Sequence, residues 1–361
     1  MTADVLVVGA GLLGTSVAMA LQDAADVRLH DTSATTLAEA CARSGALAWD
    51  GSEPAGLALV CTPLPAVAPV LLALLRADTA RTYSHVGSVQ AGVARQLRGA
   101  GAPGSRLCGA HPMAGRERGG PGAGRADLFL GRPWVLCPAA GTAADAVEAV
   151  RALALSVGAD PVLSTPEAHD RAVALISHLP QVVASALAAR LVDAGPATEL
   201  AGPGLQDTTR IAASDPALWR DVLTANAAAL APLVQEVAQD LATAAAALDA
   251  LAAGGGTSLP AEQRLVDLLR RGNEGRAAVP VKRGEGGGAF VSLPVSVQDG
   301  PGRLAALLVA AGEAGVNVED VHVDHLPGRP RGVIELVVRA AAAPGLRTAL
   351  LDRGWQVVGT R

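Results

Sequence analysis

Gly9-Ala10-Gly11-Leu12-Leu13-Gly14 follows a short apolar segment near the start of the chain and opens a helix-forming run. This G-x-G-x-x-G spacing between a strand and a helix is typical of dinucleotide-binding domains. Gly9 permits the tight turn, Gly11 lets the backbone approach a pyrophosphate, and Gly14 lets the helix pack on the strand. Free N–H groups at the helix start favour an anion. We therefore predict an N-terminal Rossmann-type domain whose cofactor contacts include these three glycines and Leu12.

A carboxylate stands where such domains bind the ribose of the cofactor. His30-Asp31 ends the next predicted strand, about 20 residues after the glycine loop, where an acidic residue binds the 2′-hydroxyl. Asp31 would repel a 2′-phosphate, so NAD is expected as the cofactor rather than NADP. Thr62, which follows the third predicted strand, completes the predicted cofactor contacts.

Residues 1–165 alternate short apolar segments with helical ones, which is the pattern of a parallel sheet wrapped by helices. The predicted strands are Val5–Val8, Val27–His30, Leu57–Cys61, Thr82–Val86, Leu107–Ala110, Trp134–Cys137 and Pro161–Leu163. The fold class is therefore α/β.

The pattern changes after residue 165. Apolar residues recur with a helical period over Glu167–Ala194, Pro216–Ala253 and Pro260–Arg271. Pro232 should kink or divide the second of these segments. Because the helices are apolar on several faces, we predict an all-helical domain over 166–280 that forms the interface of a homodimer.

A glycine-rich linker, Gly284–Gly288, precedes a C-terminal domain over 288–361. Its predicted elements are strand Phe290–Val297, helix Arg303–Ala314, strands Val316–His325 and Val333–Arg339, helix Leu346–Arg353 and strand Trp355–Val358. The order βαββαβ predicts a ferredoxin-like unit.

Composition argues against several classes of function. The net charge of −5 gives no basic surface for nucleic acid. The four cysteines show no Cys-x-x-Cys pairing, so neither a zinc site nor a set of disulfides is expected. The first residues run into a strand pattern without a secretory signal, and polar residues interrupt the Ala-rich stretch after Asn226. We expect a soluble, cytoplasmic protein without a metal or a membrane contact.

His111-Pro112-Met113-Ala114-Gly115 follows a predicted strand, which the proline ends. Ligands of open α/β sheets bind outside the carboxyl ends of the strands, so His111 is placed like a catalytic residue; alone, it could equally satisfy a backbone group. Ser88, after the preceding strand, is a helix N-cap, a site hydroxyl, or both. A hydrogen bond between Ser88 and His111 would fix the imidazole tautomer.

The helical segments carry further candidates. His169 and His178 are nine residues apart, which at about 100° per residue puts them on opposite faces of one helix. They are therefore not expected to share a metal, and we interpret one as structural and one as functional. Arg210 is suited to clamp a carboxylate; the alternative is an ion pair with Asp207 or Asp215.

Several of these motifs resemble those of prephenate/arogenate dehydrogenases, in the same order and at suitable spacings across the whole chain. They are the glycine loop, Gly87-Ser88-Val89, His111–Gly115, the His178 segment and Asp207–Ala212. The C-terminal unit, with Val297–Leu304, looks like the ACT domain that some members carry. No chorismate mutase segment precedes the first strand, which implies the monofunctional form. The chain departs from the pattern at Gln206, where many relatives have Arg or Lys, and at Gly119, where serine is common.

The resemblance implies NAD-dependent oxidative decarboxylation of prephenate to 4-hydroxyphenylpyruvate, or of arogenate to tyrosine, in tyrosine biosynthesis. A neutral His111, oriented by Ser88, would polarise the ring hydroxyl as a hydride departs. Arg210 would hold the ring carboxylate and His178 the side-chain end of the substrate. The remaining implied substrate contacts are Gln206, Ser214, Glu117 at the entrance and Trp219 beneath the site.

The ACT-like unit implies L-tyrosine as an effector, held by residues Asp299, Gly302 and Asn317; the alternative is a unit that only aids assembly. The substrate stays open between prephenate, arogenate and a 4-amino-4-deoxyprephenate of secondary metabolism. A 3-hydroxyacid or ketopantoate-type dehydrogenase would need a catalytic lysine, and Lys282, beside the linker, is the only lysine. A non-catalytic regulator that senses a dinucleotide and an amino acid would not need Ser88, His111, His178 and Arg210 together.

Overall fold

A computed structural model describes residues 3–51, 53–115, 118–253, 258–279, 290–324 and 331–358. The chain divides into two compact units, Met1–Leu241 and Ala242–Arg361. The strands are β1 (Ala3–Val8), β2 (Ala25–His30), β3 (Leu47–Ala48), β4 (Ala55–Val60), β5 (Ala80–His85), β6 (Cys108–Pro112), β7 (Pro133–Pro138), β8 (Asp160–Leu163), β9 (Phe290–Gln298), β10 (Val318–Asp324), β11 (Arg331–Arg339) and β12 (Gln356–Val357). The α-helices are α1 (Leu12–Ala20), α2 (Ala34–Ser44), α3 (Leu64–Arg76), α4 (Ala91–Gly99), α5 (Ala144–Ser156), α6 (Pro166–Val173), α7 (Leu179–Ala188), α8 (Pro203–Thr209), α9 (Pro216–Ala225), α10 (Ala227–Ala253), α11 (Leu259–Ala278), α12 (Arg303–Glu313) and α13 (Ala343–Asp352).

The first unit is built on a five-stranded parallel sheet in the order β3-β2-β1-β4-β5. Side chains of β1 alternate between two cores: Val5 and Val7 pack on one face, Leu6 and Val8 on the other. A parallel strand that is covered on both faces has a continuous apolar sequence, and β1 could therefore be predicted from the sequence. The predicted Rossmann-type α/β fold is confirmed.

The expectation of an all-parallel sheet up to residue 165 was wrong in its last part. A single parallel bridge joins Tyr83 of β5 to Leu107, the residue before β6. β6, β7 and β8 form a separate three-stranded sheet, in which β6 pairs antiparallel with β7 and β7 parallel with β8. Parallel pairing needs a crossover connection, usually an α-helix, and the described residues between β6 and β7 hold only the short 3₁₀ turn Pro121–Ala123. β7 therefore returns in the opposite direction.

The helical part departs from its predicted pattern at two places. A π-helical turn, Ala174–His178, separates α6 from α7. The segment predicted to kink or divide at Pro232 divides instead at Asn226, and Pro232 lies inside α10. The Asn226 side chain makes two buried hydrogen bonds at this break.

The continuous helical stretch Pro166–Leu191 is long and apolar enough, by length and composition alone, to cross a membrane. Its polar residues argue for a different environment, because His169 and Asp170 are buried against α4 and β6. Such contacts are those of a core helix. Several of its apolar side chains stay 37–63% exposed, namely Leu175, Ile176, Val183 and Leu187.

The C-terminal part of the second unit is a four-stranded antiparallel sheet in the order β10-β11-β9-β12. Residues Leu293 and Leu336 of the sheet share one core with Leu307 of α12 and Leu346 of α13. With elements in the order βαββαβ, this is the predicted ferredoxin-like arrangement. The predicted linker Gly284–Gly288 lies outside the described residues.

Candidate active site

The glycine loop has the shape that its sequence predicts. Gly9 has a φ of +104°, and a Cβ there would lie 2.7 Å from the Cys61 carbonyl carbon. A Cβ on Gly14 would lie 2.0 Å from the Gly9 oxygen, whereas one on Gly11 would meet nothing within 4 Å. Gly9 and Gly14 are therefore required by close packing, and the space beside Gly11 is open at the start of α1, where a phosphate is stabilised.

Two polar groups lie beside this loop. The Asp31 carboxylate, after β2, accepts hydrogen bonds from the N–H groups of Ala10 and Ser33, both at 2.8 Å. The Thr62 hydroxyl is buried and has no hydrogen-bond partner within the described part of the chain. Its backbone nitrogen is 2.8 Å from the position that a Gly9 Cβ would take. An orphaned hydroxyl and a carboxylate next to an open glycine turn fit a bound dinucleotide.

His111, the last residue but one of β6, takes part in a series of polar contacts. Its Nδ1 is 2.9 Å from Nε2 of His169, and Nδ1 of His169 is 2.9 Å from a carboxylate oxygen of Asp170. That carboxylate accepts the N–H groups of Gln90 and Ala91, each at 2.8 Å, at the first turn of α4. The helix N-terminus favours such a negative charge. One residue of the nucleotide-binding part, His111, is thus connected through α6 to the start of another helix.

Gln90 and Gly109 fix the backbone that leads into His111. The Gln90 amide donates to the carbonyls of Gly87 and Ala110, joining the loop after β5 to β6. A Cβ on Gly109 would lie 2.4 Å from Oε1 of Gln90 and 2.9 Å from Nε2 of His85. Only glycine therefore fits next to this amide and imidazole.

Burial keeps His111 and His85 neutral. It lowers the pKa of His111 to about 3, with the neighbouring His169, His178 and His85 acting in the same direction and Asp170 against them. For His85, burial lowers the pKa to about 4. His111 nevertheless stays partly accessible, as a group that meets a substrate must. A neutral imidazole can accept a hydrogen bond, which an imidazolium cannot.

His178 faces inward as well, so the prediction that His169 and His178 occupy opposite faces was wrong. Both are buried, at 3% and 2% exposure. The π turn between them has more residues per turn than an α-helix and shifts the phase of the side chains. The Asn226 amide donates to the backbone carbonyl of Asp170 at 2.8 Å and lies 3.1 Å from Nδ1 of His178.

The other predicted substrate residues are placed as follows. Trp219 stands edge-on to His178, with ring centroids 6.0 Å apart. Gln206 and Arg210 are exposed on a segment that packs against α7, and the Ser214 hydroxyl donates to the Ile211 carbonyl. Ser88 is half-buried after β5; the hydrogen bond recorded for His111 goes to His169 and not, as predicted, to Ser88. Glu117 lies outside the described residues.

Asp170, Asn226, Gln90 and His85 had no role in the sequence-based prediction. The only signal in the sequence was the adjacent pair His169-Asp170. Among the residues that the structure describes, no three His, Cys, Asp or Glu side chains are grouped so that they could hold a metal ion.

The chain matches the family models of two adjoining domains. Residues 17–163 match the nucleotide-binding domain of prephenate dehydrogenase, and residues 165–255 match its dimerization domain. The chain is 35% identical over 354 residues to a probable prephenate dehydrogenase, NovF, of Streptomyces niveus, covering 97% of this chain and 98% of that protein.

Two solved dehydrogenase structures resemble this chain in fold. The arogenate dehydrogenase of Synechocystis has a TM-score of 0.62 at 28% identity, over 76% of this chain and 98% of its own. A prephenate dehydrogenase from A. aeolicus, solved with hydroxyphenyl propionate and NAD⁺, shares the fold, with a TM-score of 0.65 at 24% identity over 78% and 99% of the two chains.

These matches confirm the predicted resemblance, the nucleotide-binding domain and the oxidoreductase class. This chain belongs to the prephenate dehydrogenase family.

Proposed function

We propose that the protein is a cytoplasmic enzyme that oxidatively decarboxylates a cyclohexadienol of the prephenate or arogenate type, with NAD⁺ as hydride acceptor. The observation that carries the proposal is the placement of His111. The strands β1, β4 and β5 are parallel, and a parallel bridge from β5 to Leu107 gives β6 the same direction, so His111 and the glycine loop both lie towards the carboxyl ends of these strands. A neutral, partly accessible imidazole at that edge fits a group that binds a reacting hydroxyl.

Each site residue has a separate task in this reaction. His111 accepts a hydrogen bond from the ring hydroxyl, which lets electron density move towards the carbinol carbon as its hydrogen leaves as hydride. The carboxylate on the opposite ring carbon then departs as CO₂, its bonding electrons completing the aromatic ring. Arg210 holds that carboxylate, while His178 and Trp219 meet the side-chain end. NAD⁺, when bound, takes up the hydride.

NAD⁺ is supported as the cofactor by Asp31. Its carboxylate lies at the glycine loop, on the N–H of Ala10, so a 2′-phosphate on a bound dinucleotide would meet a negative charge. The glycine loop and the Thr62 hydroxyl are proposed to complete the cofactor contacts.

The substrate is proposed to include arogenate. Prephenate is a dianion with a pyruvyl side chain, and arogenate carries an ammonium in place of the ketone. A cation at position 206 would favour the dianion by about 1–4 kcal/mol, and Gln206 is neutral. Glu117 would add a preference for an ammonium group. Gln206 and Ser214 are proposed to lie along the substrate, as the family resemblance implies.

A steady-state assay of the purified chain with prephenate and arogenate, each with NAD⁺ and NADP⁺, tests the function. We expect NADH formation and CO₂ release with arogenate, alone or beside prephenate. Gln206→Lys should shift the ratio of kcat/KM values about tenfold towards prephenate. Strict specificity for prephenate, or a ratio unmoved by the lysine, contradicts the role of position 206; no turnover with either substrate contradicts the function.

The partner is proposed to be a second copy of the chain. The apolar side chains Leu175, Ile176, Val183 and Leu187 lie on the stretch that also carries the buried histidines, within the match to the dimerization domain. Sedimentation of the purified protein should give the mass of a dimer, and Leu187→Glu should shift it towards the monomer.

L-Tyrosine is proposed as an effector of the C-terminal unit. Gly302, with a φ of +78°, precedes α12, and the Asn317 amide donates to Glu319; with Asp299 they form the proposed contacts. Tyrosine should inhibit the full chain, and Asn317→Ala should weaken the inhibition without changing uninhibited turnover. Inhibition unchanged by this substitution would place the effector elsewhere.

A further inference from the structure

We propose that His169 and Asp170 are positioning residues that fix the tautomer of His111, so that its Nε2 is an unprotonated acceptor facing the substrate. The use of that acceptor rests on the proposed function; the tautomer itself does not. The inference is carried by four hydrogen-bond distances and by the chemistry of their end groups.

The carboxylate of Asp170 determines which atom donates in each hydrogen bond between Asp170, His169 and His111. It accepts two backbone N–H groups of the first turn of α4, from Gln90 and Ala91. An ionised carboxylate has no proton to donate. The third close group, Nδ1 of His169 at 2.9 Å, must therefore be the donor, and its proton lies on Nδ1.

The proton on His169 in turn fixes which nitrogen of His111 carries a proton. A neutral imidazole with a proton on Nδ1 has a lone pair on Nε2. Nε2 of His169 therefore accepts, and Nδ1 of His111, 2.9 Å away, donates to it. This leaves the lone pair of His111 on Nε2. His85 and His178 also lower the pKa of His111, but its side-chain hydrogen bond is to His169.

Two other buried histidines are held in the opposite tautomer. The amide of Asn226 must turn its NH₂ group towards the carbonyl of Asp170, and the same NH₂ group is 3.1 Å from Nδ1 of His178. In His85, Nδ1 accepts the N–H of Gly87 at 3.2 Å. Both therefore carry their proton on Nε2. The cluster then presents an acceptor at His111 and a donor at His178, which suits a substrate with a hydroxyl at one end and an oxygen acceptor at the other.

Nitrogen-15 NMR of the full-length protein labelled in its histidine rings reads the tautomers directly. Signals are assigned by their loss in His111→Asn, His169→Gln and His178→Asn variants. We expect a protonated Nδ1 and a bare Nε2 in His111, and the reverse in His178. A proton on Nε2 of His111, as a doubly protonated His169 would impose, overturns the proposal.

Turnover gives the second measurement. Asp170→Asn removes the acceptor-only group and should lower kcat about 10- to 100-fold, the cost of a hydrogen bond to a charged group, with KM changed less than about twofold. It should also mix the tautomer signals of His111. Thr165→Ala is the matched control, because Thr165 caps α6 through the N–H of Ala168; it destabilises the same helix and should leave kcat and tautomers unchanged.

His169→Gln covers the case in which Asp170→Asn fails to fold, because it leaves the hydrogen bonds between the Asp170 carboxylate and the first turn of α4 intact. It should lower kcat to a similar extent. Normal kcat in the folded variants of an active enzyme overturns the inference. An unmodified protein that shows the predicted tautomers but oxidises no cyclohexadienol contradicts the proposed function instead.

Discussion

The buried His85 predicts how stability depends on pH. It ends β5 at 2% exposure, and burial, reinforced by the nearby His169, lowers its pKa to about 4. Asp170 acts in the opposite direction. Folding therefore holds His85 neutral under conditions in which an unfolded histidine binds a proton. We predict that the free energy of unfolding falls as the solution is acidified, and that His85→Asn removes this contribution while its side-chain oxygen still accepts the N–H of Gly87.

The magnitude follows from the two pKa values. The unfolded histidine titrates near 6.5 and the folded one near 4, so the stabilisation is complete above 6.5 and is lost as the pH falls towards 4. One pKa unit corresponds to about 1.4 kcal/mol, which gives about 3.4 kcal/mol over the full window. Between pH of about 7.5 and about 5.5, the linkage relation gives a loss of about 1.3 kcal/mol.

Urea unfolding at these two pH values, followed by tryptophan fluorescence, measures the loss. Trp49, Trp134 and Trp219 lie in the first unit and only Trp355 in the second, so the signal reports mainly on the unit that holds His85. The exposed His322 provides a control as His322→Asn. The reasoning is refuted if the His85→Asn protein loses as much stability between the two pH values as the unmodified one.

Four further substitutions test the site. His111→Asn should lower kcat by on the order of 10²–10⁴ with substrate binding nearly intact, because it removes assistance given in the transition state; a near-normal kcat in steady-state assays would contradict the assigned role. Gly14→Ala should lower both Tm and affinity for NAD⁺, since its Cβ would meet the Gly9 carbonyl at 2.0 Å, while Gly11→Ala should weaken only NAD⁺ binding; equal Tm values for the two variants would count against this. Asp31→Ser should narrow the preference for NAD⁺ over NADP⁺, and equal kcat/KM for both cofactors in the unmodified protein would remove the basis for it.

The sequence predicted the features that depend on neighbours along the chain. β1, the glycine turn and the start of α1 follow from local burial and local backbone geometry, and the βαββαβ order of the C-terminal unit follows from alternation within each strand. The contact between His111 and His169 joins residues 58 positions apart, so no local pattern indicates it.

The other errors concerned which helix face a side chain occupies and the residue at which a helix breaks. Helical period places His169 and His178 on opposite faces only if every turn is α-helical, and the π turn Ala174–His178 breaks that assumption. The break at Asn226 depends on partners on another helix, Asp170 and His178. A proline can be recognised in a sequence, but an asparagine that finds buried partners cannot be distinguished from an exposed one.

The Asp170 carboxylate also has a mechanical consequence. It joins α6 to the first turn of α4, and Asn226 joins the start of α10 to α6. Separating these elements would break several buried hydrogen bonds at once, those to the carboxylate costing about 1.5–3 kcal/mol each. The distance between the imidazoles of His111 and His178 is therefore set before any substrate arrives. In the proposed reaction these two imidazoles meet the two ends of the substrate, so the fixed distance selects a ligand by length, and an analogue longer or shorter by one methylene should bind poorly even if it carries every polar group.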